Sequence, residues 1–189
     1  MQLFNFSLVL SGVDINTPEL ENKLFESGCD DCLVCFYGSS VYVEFDRYAA
    51  DFRSAILSAI INIESAGIDA IVKSVDAGDY VGLSDISALT DISKQSIAML
   101  KDGKRGMGGF PSPVQRIATK QPLWRWGEVS EWLASNSKID IELSRNAATV
   151  EAFNLALELR NPKKCNEVAQ LANALSHKPS LHSTTAQCI

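Results

Sequence analysis

Two short segments with helical apolar spacing meet at Asp91-Ile92-Ser93, and this junction constrains the chain more than any other feature. Ser93 is suited to cap a helix over residues 94–101, and Ser84 to cap a helix that ends near Leu89. Because the two segments are so short, the turn between them must be tight. The side chains predicted to pack between the two helices are Ile86, Leu89, Ile92, Ile97 and Leu100.

The junction is followed by the loop KDGKRGMGGFPSPV and then by the segment PLWRWGEVSEWL. Gly and Pro in the loop favour irregular backbone. Trp124 and Trp126 alternate around Arg125, which is typical of a strand, and we expect both indoles to pack against Val129, Trp132 and Leu133. The order predicted over residues 79–134 is therefore helix, turn, helix, basic loop, strand and helix.

Charge is distributed unevenly along the 189 residues, although the net charge is −6. Residues 1–76 hold 4 basic and 12 acidic side chains, whereas the stretch from Lys94 to Arg125 holds seven basic residues and only one acid, Asp102. A basic footprint is typical of a surface that contacts phosphate. The overall acidity therefore does not exclude nucleic acid as a partner of the middle segment.

Residues 80–134 resemble the winged helix-turn-helix of the MerR and AlpA (excisionase-like) superfamily. The resemblance is carried by VGLSDISALTDISKQSI, by the loop KDGKRGMGGFPSPV and by the tryptophan pattern of PLWRWGEVSEWL. It implies that the second helix enters the major groove of DNA and that the wing contacts the backbone. One departure is Asp91, which stands where a glycine usually provides the positive φ of the turn; Asp tolerates that conformation at some cost.

The resemblance and the charge pattern together give a set of candidate DNA-binding residues. Lys94 and Gln95 are expected to contact base edges, since Gln can pair with adenine and Lys with guanine. Lys104 and Arg105 are expected to hold the backbone. The full set is Ser93, Lys94, Gln95, Met99, Lys101, Lys104, Arg105, Arg116, Lys120 and Arg125.

Residues 1–76 are predicted to form a ferredoxin-like βαββαβ sandwich. Leu3–Leu10 alternates like a strand, and Phe52–Ala66 has helical apolar spacing. Between them, a helix capped by Thr17 and begun by Pro18 is predicted to carry the apolar stripe Leu20, Leu24 and Phe25. Cys32–Phe36 and Val41–Phe45 flank a predicted hairpin turn, and Ile68–Val75 is the last strand. This fold class hosts many functions, so dimerisation, a protein partner or a small-molecule effector all remain open for this region.

Cys29, Cys32 and Cys35 form a C-x-x-C-x-x-C pattern. No histidine or further cysteine pair lies close by to complete a metal site, so we expect small buried thiols and neither a metal nor a cofactor. We expect no catalytic activity either, because no set of nucleophile, base and orienting residue is visible.

The remaining residues are predicted to form a helical hairpin over 138–176 and a disordered tail over 177–189, which contains both His177 and His182. An apolar stripe along residues 141–160 is the favoured interface of a homodimer, and the N-terminal sheet is the other candidate.

The sequence therefore predicts an α+β protein with a ferredoxin-like domain, a winged helix-turn-helix and a C-terminal helix pair. The predicted function is a sequence-specific regulator of transcription that binds double-stranded DNA in the cytoplasm, at the bacterial nucleoid, with no membrane association. The alternative is an antitoxin-like or adaptor protein whose acidic N-terminal domain docks a basic partner.

Overall fold

The computed structural model describes residues 1–76 and 78–176, which form a mixed α+β structure. Six strands and seven helices occur in this part of the chain. The strands are β1 (Gln2–Ser11), β2 (Cys32–Tyr37), β3 (Ser40–Ala49), β4 (Ile71–Val75), β5 (Tyr80–Val81) and β6 (Trp124–Arg125). The helices are α1 (Leu20–Glu26), α2 (Phe52–Glu64), α3 (Leu83–Thr90), α4 (Lys94–Lys101), α5 (Trp126–Ser135), α6 (Ile141–Leu159) and α7 (Pro162–Ser176).

The first four strands form an antiparallel sheet in the order β2-β3-β1-β4. β2 and β3 are joined by the predicted hairpin, in which Tyr37 pairs with Ser40 across a two-residue turn. Phe4, Phe6, Leu8 and Leu10 of β1 are buried on one face of the sheet, so the alternation in the sequence is confirmed. β5 and β6 form a separate two-stranded sheet.

Helix α2 supplies the apolar layer over the buried face of the sheet. Asp51 caps it, with its carboxylate accepting a hydrogen bond of 2.8 Å from the backbone N–H of Ser54. Its apolar spacing places one stripe in the core beside Phe45 and Leu8, as the sequence predicts. The buried members of the stripe are Ala55, Ile56, Ala59, Ile60 and Ile63.

Helix α1 begins later than the sequence predicts. Thr17 does not cap it, because its hydroxyl accepts a hydrogen bond from the backbone N–H of Asp14 at 2.9 Å and closes a local turn. Glu19, with φ of 56°, then precedes the first helical residue. Leu20 and Leu24 are buried as expected, but Phe25 is exposed and the prediction for it is wrong, since α1 has only 7 residues and presents a narrow face to the core.

Helix α6 packs against two apolar cores, one on the four-stranded sheet and one among α3, α4 and α5. Val150 is buried in the core of the four-stranded sheet, with Phe153 and Leu157 beside it. Ala147 is buried in the second core, with α3, α4 and α5, and Leu143 packs against it. Much of the stripe is therefore packed within the chain, while Ile141 and Leu155 remain exposed, and the dimer interface along residues 141–160 stays a prediction.

Asn154 is the buried polar residue at the centre of this packing. Its side-chain oxygen accepts a hydrogen bond from the backbone N–H of Val75 at 2.7 Å. Its amide nitrogen donates to the carbonyl of Val75 at 3.1 Å and to the carboxylate of Asp79 at 3.0 Å. One side chain thus holds α6 against the end of β4 and against the segment that leads to β5.

The chain divides into two compact units, residues 1–157 and the residues from 158 onward. In the second unit α7 has no buried residue, and a lysine at its start, Lys164, pairs with Glu158 at 2.6 Å. The predicted disordered tail with His177 and His182 lies outside the described residues. None of the helices described here is both long and apolar enough to cross a bilayer.

Replacing Asn154 with Ala should destabilise the fold strongly. The backbone N–H and C=O of Val75 would lose their partner in a buried place, at a cost of about 1–3 kcal/mol for each unpaired group. Urea unfolding followed by circular dichroism measures the loss. Asn146→Ala, on the same helix and half-buried, is the matched control and should lose clearly less. Equal unfolding midpoints for the two variants would contradict this role of Asn154.

Candidate nucleic-acid interface

Helix α3 begins at a glycine and not at the predicted serine. Gly82 is the N-terminal cap residue, and the carboxylate of Asp85 accepts a hydrogen bond from its backbone N–H at 2.8 Å. Ser84 lies inside the first turn, so its prediction as the cap is wrong. Asp85 gives the more effective arrangement, because its carboxylate also carries a negative charge at the positive end of the helix.

The turn between α3 and α4 is as tight as the sequence predicts. Asp91 ends α3 with φ of 56° and ψ of 10°, which is the left-handed conformation expected of this position. Ser93 caps α4, with its hydroxyl accepting a hydrogen bond from the N–H of Ser96 at 3.2 Å. Both predictions at this junction are confirmed, and α4 has the bounds predicted from the sequence.

A small apolar core fixes the angle between the two helices. Ile86, Ile97 and Leu100 are buried in it, and Ile92 packs against it. Leu89, which the sequence also places in this core, is 39% exposed and lines a cavity beside β1 and α6. The prediction for Leu89 is wrong because α3 has just 8 residues and turns only Ile86 fully inward.

Trp124 of β6 holds the loop that follows α4 against the core formed by α3, α4 and α5. Its ring is buried, and its indole N–H donates a hydrogen bond of 3.0 Å to the carbonyl of Pro111. Phe110 packs edge-on against Trp124 and against Trp132 of α5, with ring centroids 6.4 and 5.1 Å apart. The tryptophans are packing residues, as predicted, although Trp132 is only half-buried.

Residues 114–123 fold back on themselves and end at β6; we call this segment the 114–123 hairpin. The N–H of Val114 donates to the carbonyl of Leu123 at 2.8 Å, and the N–H of Leu123 donates to the carbonyl of Gln115 at 2.9 Å. Arg116, with φ of 52°, begins the turn, and Lys120 lies near its end. The sequence predicted the basic wing earlier, in the loop of residues 101–114.

Lys94, Arg116 and Lys120 line one groove of about 280 Å³, between the start of α4 and the 114–123 hairpin. The N-terminal turn of α3, from Gly82 to Asp85, forms its floor. The fold thus brings together three cations that are up to 26 positions apart in the sequence. Asp85 is the one acid among the lining residues.

A second groove, of about 350 Å³, lies on the other side of the N-terminus of α4. Arg105 and Lys138 line it together with Ser93, Ser96 and one acid, Asp91. Lys138 was missed in the sequence, where it lies just beyond α5 and outside the predicted helix-turn-helix. Its backbone N–H donates to the carbonyl of Leu133 at 2.9 Å, so the end of α5 fixes its position.

The exposed face of α4 carries the predicted base-contacting residues. Lys94 and Gln95 lie in its first turn and are exposed. Met99 is half-buried, so less of its side chain is available at the surface. Lys101 is exposed at the end of the helix.

Three of the predicted cations already have carboxylate partners. Lys101 hydrogen-bonds to Asp102 and thereby lowers the pKa of that carboxyl, and Lys104 lies 4.0 Å from the same carboxylate. Arg125 pairs with Glu151 at 3.2 Å and with Glu128 at 4.0 Å. Its guanidinium also lies 5.7 Å from the ring of Tyr80. Arg125 therefore links α5 and α6 through its two carboxylate partners.

The cysteine pattern lies far along the chain from these grooves. Cys29 is buried and Cys32 is half-buried, and burial raises the pKa of the Cys32 thiol to about 12. Their neighbour Arg47 is buried as well, and it binds the carboxylate of Asp31 with two hydrogen bonds of 2.7 Å. Among the residues that the structure describes, no three His, Cys, Asp or Glu side chains are grouped as metal ligands would be.

Comparison with protein-family models, with curated proteins and with solved structures finds no match to this chain. The case for a function accordingly depends on the geometry and charge of the residues above.

Replacing Trp124 with Ala should cost about 3–5 kcal/mol of unfolding free energy, as is usual for a fully buried large aromatic residue. Thermal and urea unfolding measure the loss. Trp132→Ala is the comparison, and it should cost less because its ring is only half-buried. If Trp132→Ala were the more damaging change, the packing described for this core would be incorrect.

Proposed function

We propose that the protein is a sequence-specific DNA-binding regulator of transcription in which α4 enters the major groove and the 114–123 hairpin contacts the backbone as a wing. The observation that carries the proposal is the grouping of cations at the N-terminus of α4. Lys94, Arg116 and Lys120 line one groove there, and Arg105 and Lys138 line the other. In a chain with a net charge of −6, such a group is well suited to bind a polyanion.

The geometry of α4 supports a role in base recognition. In helix-turn-helix proteins the residues near the N-terminus of the second helix contact base edges. Lys94 and Gln95 occupy that turn and are exposed, while Ser93 caps it. Gln95 can form two hydrogen bonds with adenine, and Lys94 can donate to guanine or to a phosphate.

The two grooves support a role in holding the backbone. Phosphate contacts set the position of a protein on the duplex without selecting a sequence. Arg116 and Lys120 lie on one side of α4, and Arg105 and Lys138 on the other, so they could contact phosphates on both sides of the major groove. Lys101 and Lys104 share Asp102 and are secondary candidates, and Arg125 is left out because two carboxylates hold it.

The order of the elements supports the finer description of the fold. The βαββαβ order of residues 1–76 and the strand order β2-β3-β1-β4 support the proposed ferredoxin-like sandwich. The succession of α3, a tight turn, α4, a returning hairpin, β6 and α5 supports membership of the MerR and AlpA-like winged helix-turn-helix group. A regulator of this kind acts on double-stranded DNA at the nucleoid, needs no cofactor and is not an enzyme.

Replacing Lys94, Arg116 and Lys120 together with Gln should weaken binding to every DNA sequence and reduce its dependence on salt. Removing one phosphate-binding cation lowers the slope of log K against log salt by about 0.9. Fluorescence anisotropy with mixed genomic fragments at several salt concentrations measures both quantities. The control replaces Lys23, Arg53 and Lys73 together with Gln, which removes the same number of charges at exposed positions outside the grooves. A triple variant that binds as tightly as the control would refute the proposed interface.

Gln95→Ala should change the sequence preference and leave most of the salt dependence intact. A base contact of this type contributes about 1–3 kcal/mol of discrimination. Selection of bound sequences from a random DNA pool, carried out in parallel for the wild type and the variant, gives the preferred site of each. Gln170→Ala, at an exposed glutamine of α7, serves as the matched control. An unchanged preferred site would show that Gln95 makes no base contact.

An adaptor or antitoxin-like role is the second proposal, and the acidity of residues 1–76 favours it. A surface groove of about 430 Å³ on the sheet is lined by Glu44, Asp76, Tyr37, Tyr42 and neighbouring residues, with no cation among them. Such a surface fits a basic protein partner. Glu44→Gln with Asp76→Asn should abolish co-purification of that partner without affecting DNA binding, whereas retention of the partner would contradict this role.

A further inference from the structure

The two edges of the four-stranded sheet differ in how their backbone groups are used. β4 forms one edge and β2 the other. At β4 the backbone N–H of Val72 donates to the carboxylate of Glu64 at 3.1 Å, and Asn154 binds both the N–H and the C=O of Val75. Side chains therefore take the place of a neighbouring strand along β4, and its pairing with β1 is also interrupted by a register shift at Val9 and Leu10.

Among the residues that the structure describes, no side chain hydrogen-bonds to the backbone of β2 in this way. The backbone N–H of Asp46 donates to the backbone carbonyl of Asp31 at 3.0 Å, and Tyr37 closes the hairpin opposite Ser40. Because hydrogen-bonded pairs alternate along an antiparallel ladder, the odd-numbered residues of β2 bond to β3. The backbone N–H and C=O groups of Cys32, Val34 and Phe36 consequently point away from the sheet.

The side chains of β2 lack the features that usually prevent edge pairing. Charged residues, proline, bulges and covering loops are the common protective devices. The strand CLVCFY contains no charge, no proline and no glycine. Leu33 is 62% exposed and Tyr37 83% exposed, and Phe36 is exposed as well.

We propose that β2 pairs with β2 of a second copy of this chain, antiparallel and around a two-fold axis at Val34. In this register Val34 lies opposite the partner's Val34, Cys32 opposite the partner's Phe36, and Leu33 opposite the partner's Cys35. The outward N–H and C=O groups of all three even-numbered residues are then used. The two sheets become one continuous sheet across the dimer, which is the arrangement of β-augmentation.

Charge favours a second copy over a different partner. Residues 1–76 carry a large excess of acid, so two copies can associate only where their contact avoids carboxylates. In the proposed register Asp31 lies opposite the partner's Tyr37 and Asp30 opposite the partner's Gly38, so no acid faces an acid. Asp31 is in addition paired with Arg47. A basic peptide would find no carboxylate along β2 to bind.

The proposal does not depend on DNA binding, but it has a consequence for it. A pair of six-residue strands buries less surface than the roughly 1,600 Å² of a standard protein interface, so the dimer is expected to be weak and dynamic. Each copy would present its own α4, and a two-fold axis in the protein would match a pseudo-palindromic site in DNA.

Val34→Pro is the variant that tests the edge directly. Proline removes the N–H of Val34, which faces outward, and leaves the hydrogen bonds between β2 and β3 in place. Sedimentation velocity of the full chain up to millimolar concentration, with the thiols kept reduced, gives the dissociation constant of the dimer. We expect a monomer–dimer equilibrium for the wild type and a dissociation constant raised by about tenfold or more for Val34→Pro.

Phe36→Lys supplies a second variant that keeps the backbone unchanged, since an edge lysine opposes strand pairing. If circular dichroism shows that Val34→Pro does not fold as the wild type does, the dissociation constant of Phe36→Lys decides the question. Tyr48→Lys is the matched control, because Tyr48 is an exposed aromatic residue on β3 and not on the edge strand. The control should dimerise as the wild type does.

Amide hydrogen exchange gives an independent measurement with residue resolution. Exchange at Cys32, Val34 and Phe36 should slow as the protein concentration rises, whereas Leu33 and Cys35 should already be slow at low concentration. The proposal is overturned if the wild type stays monomeric at every concentration, if both edge variants dimerise like the control, or if exchange at the even-numbered residues does not depend on concentration.

Discussion

The packing of α6 through Asn154 is the interaction on which the arrangement of the rest depends. Asn154 satisfies both backbone groups of Val75 at the end of the four-stranded sheet and also binds Asp79, where the chain turns toward β5. Earlier on the same helix, Val150 packs in one apolar core and Ala147 in the other. Residues 1–157 consequently form one compact unit, in which α6 connects the helices around α4 to the four-stranded sheet.

Local patterns predicted much of the secondary structure. Alternation identified β1 and the β2–β3 hairpin, and helical spacing identified α2. Ser93 and Asp91 defined the junction between α3 and α4, because a serine cap and a left-handed residue are determined by their immediate neighbours. The same local reasoning failed at Thr17 and at Ser84. The hydroxyl of Thr17 accepts a hydrogen bond from Asp14 and does not cap α1. At α3, Asp85 supplies the capping carboxylate instead of Ser84.

Contacts between residues that lie far apart in the sequence could not be predicted from it. Spacing places Arg125 on the outside of a strand, but nothing in the sequence shows that Glu151 lies beside it. Lys138 joins the candidate interface because α5 ends next to α4, which depends on how the helices pack. The stripe of α6 was correctly identified as apolar, yet whether such a stripe contacts its own chain or another copy depends on surfaces that form only after folding.

The separation of charge along the chain gives the folded unit a strong electric asymmetry. One stretch carries 12 acidic against 4 basic side chains, and one of those four, Arg47, is buried against Asp31 and contributes little to the surface. In the field of a polyanion such a molecule experiences a torque as well as an attraction. It would arrive at a duplex already oriented, with the cationic end leading, and wrongly oriented encounters would separate quickly. If the protein binds DNA as proposed, the acidic stretch would limit the time spent on unspecific sites without contacting DNA itself.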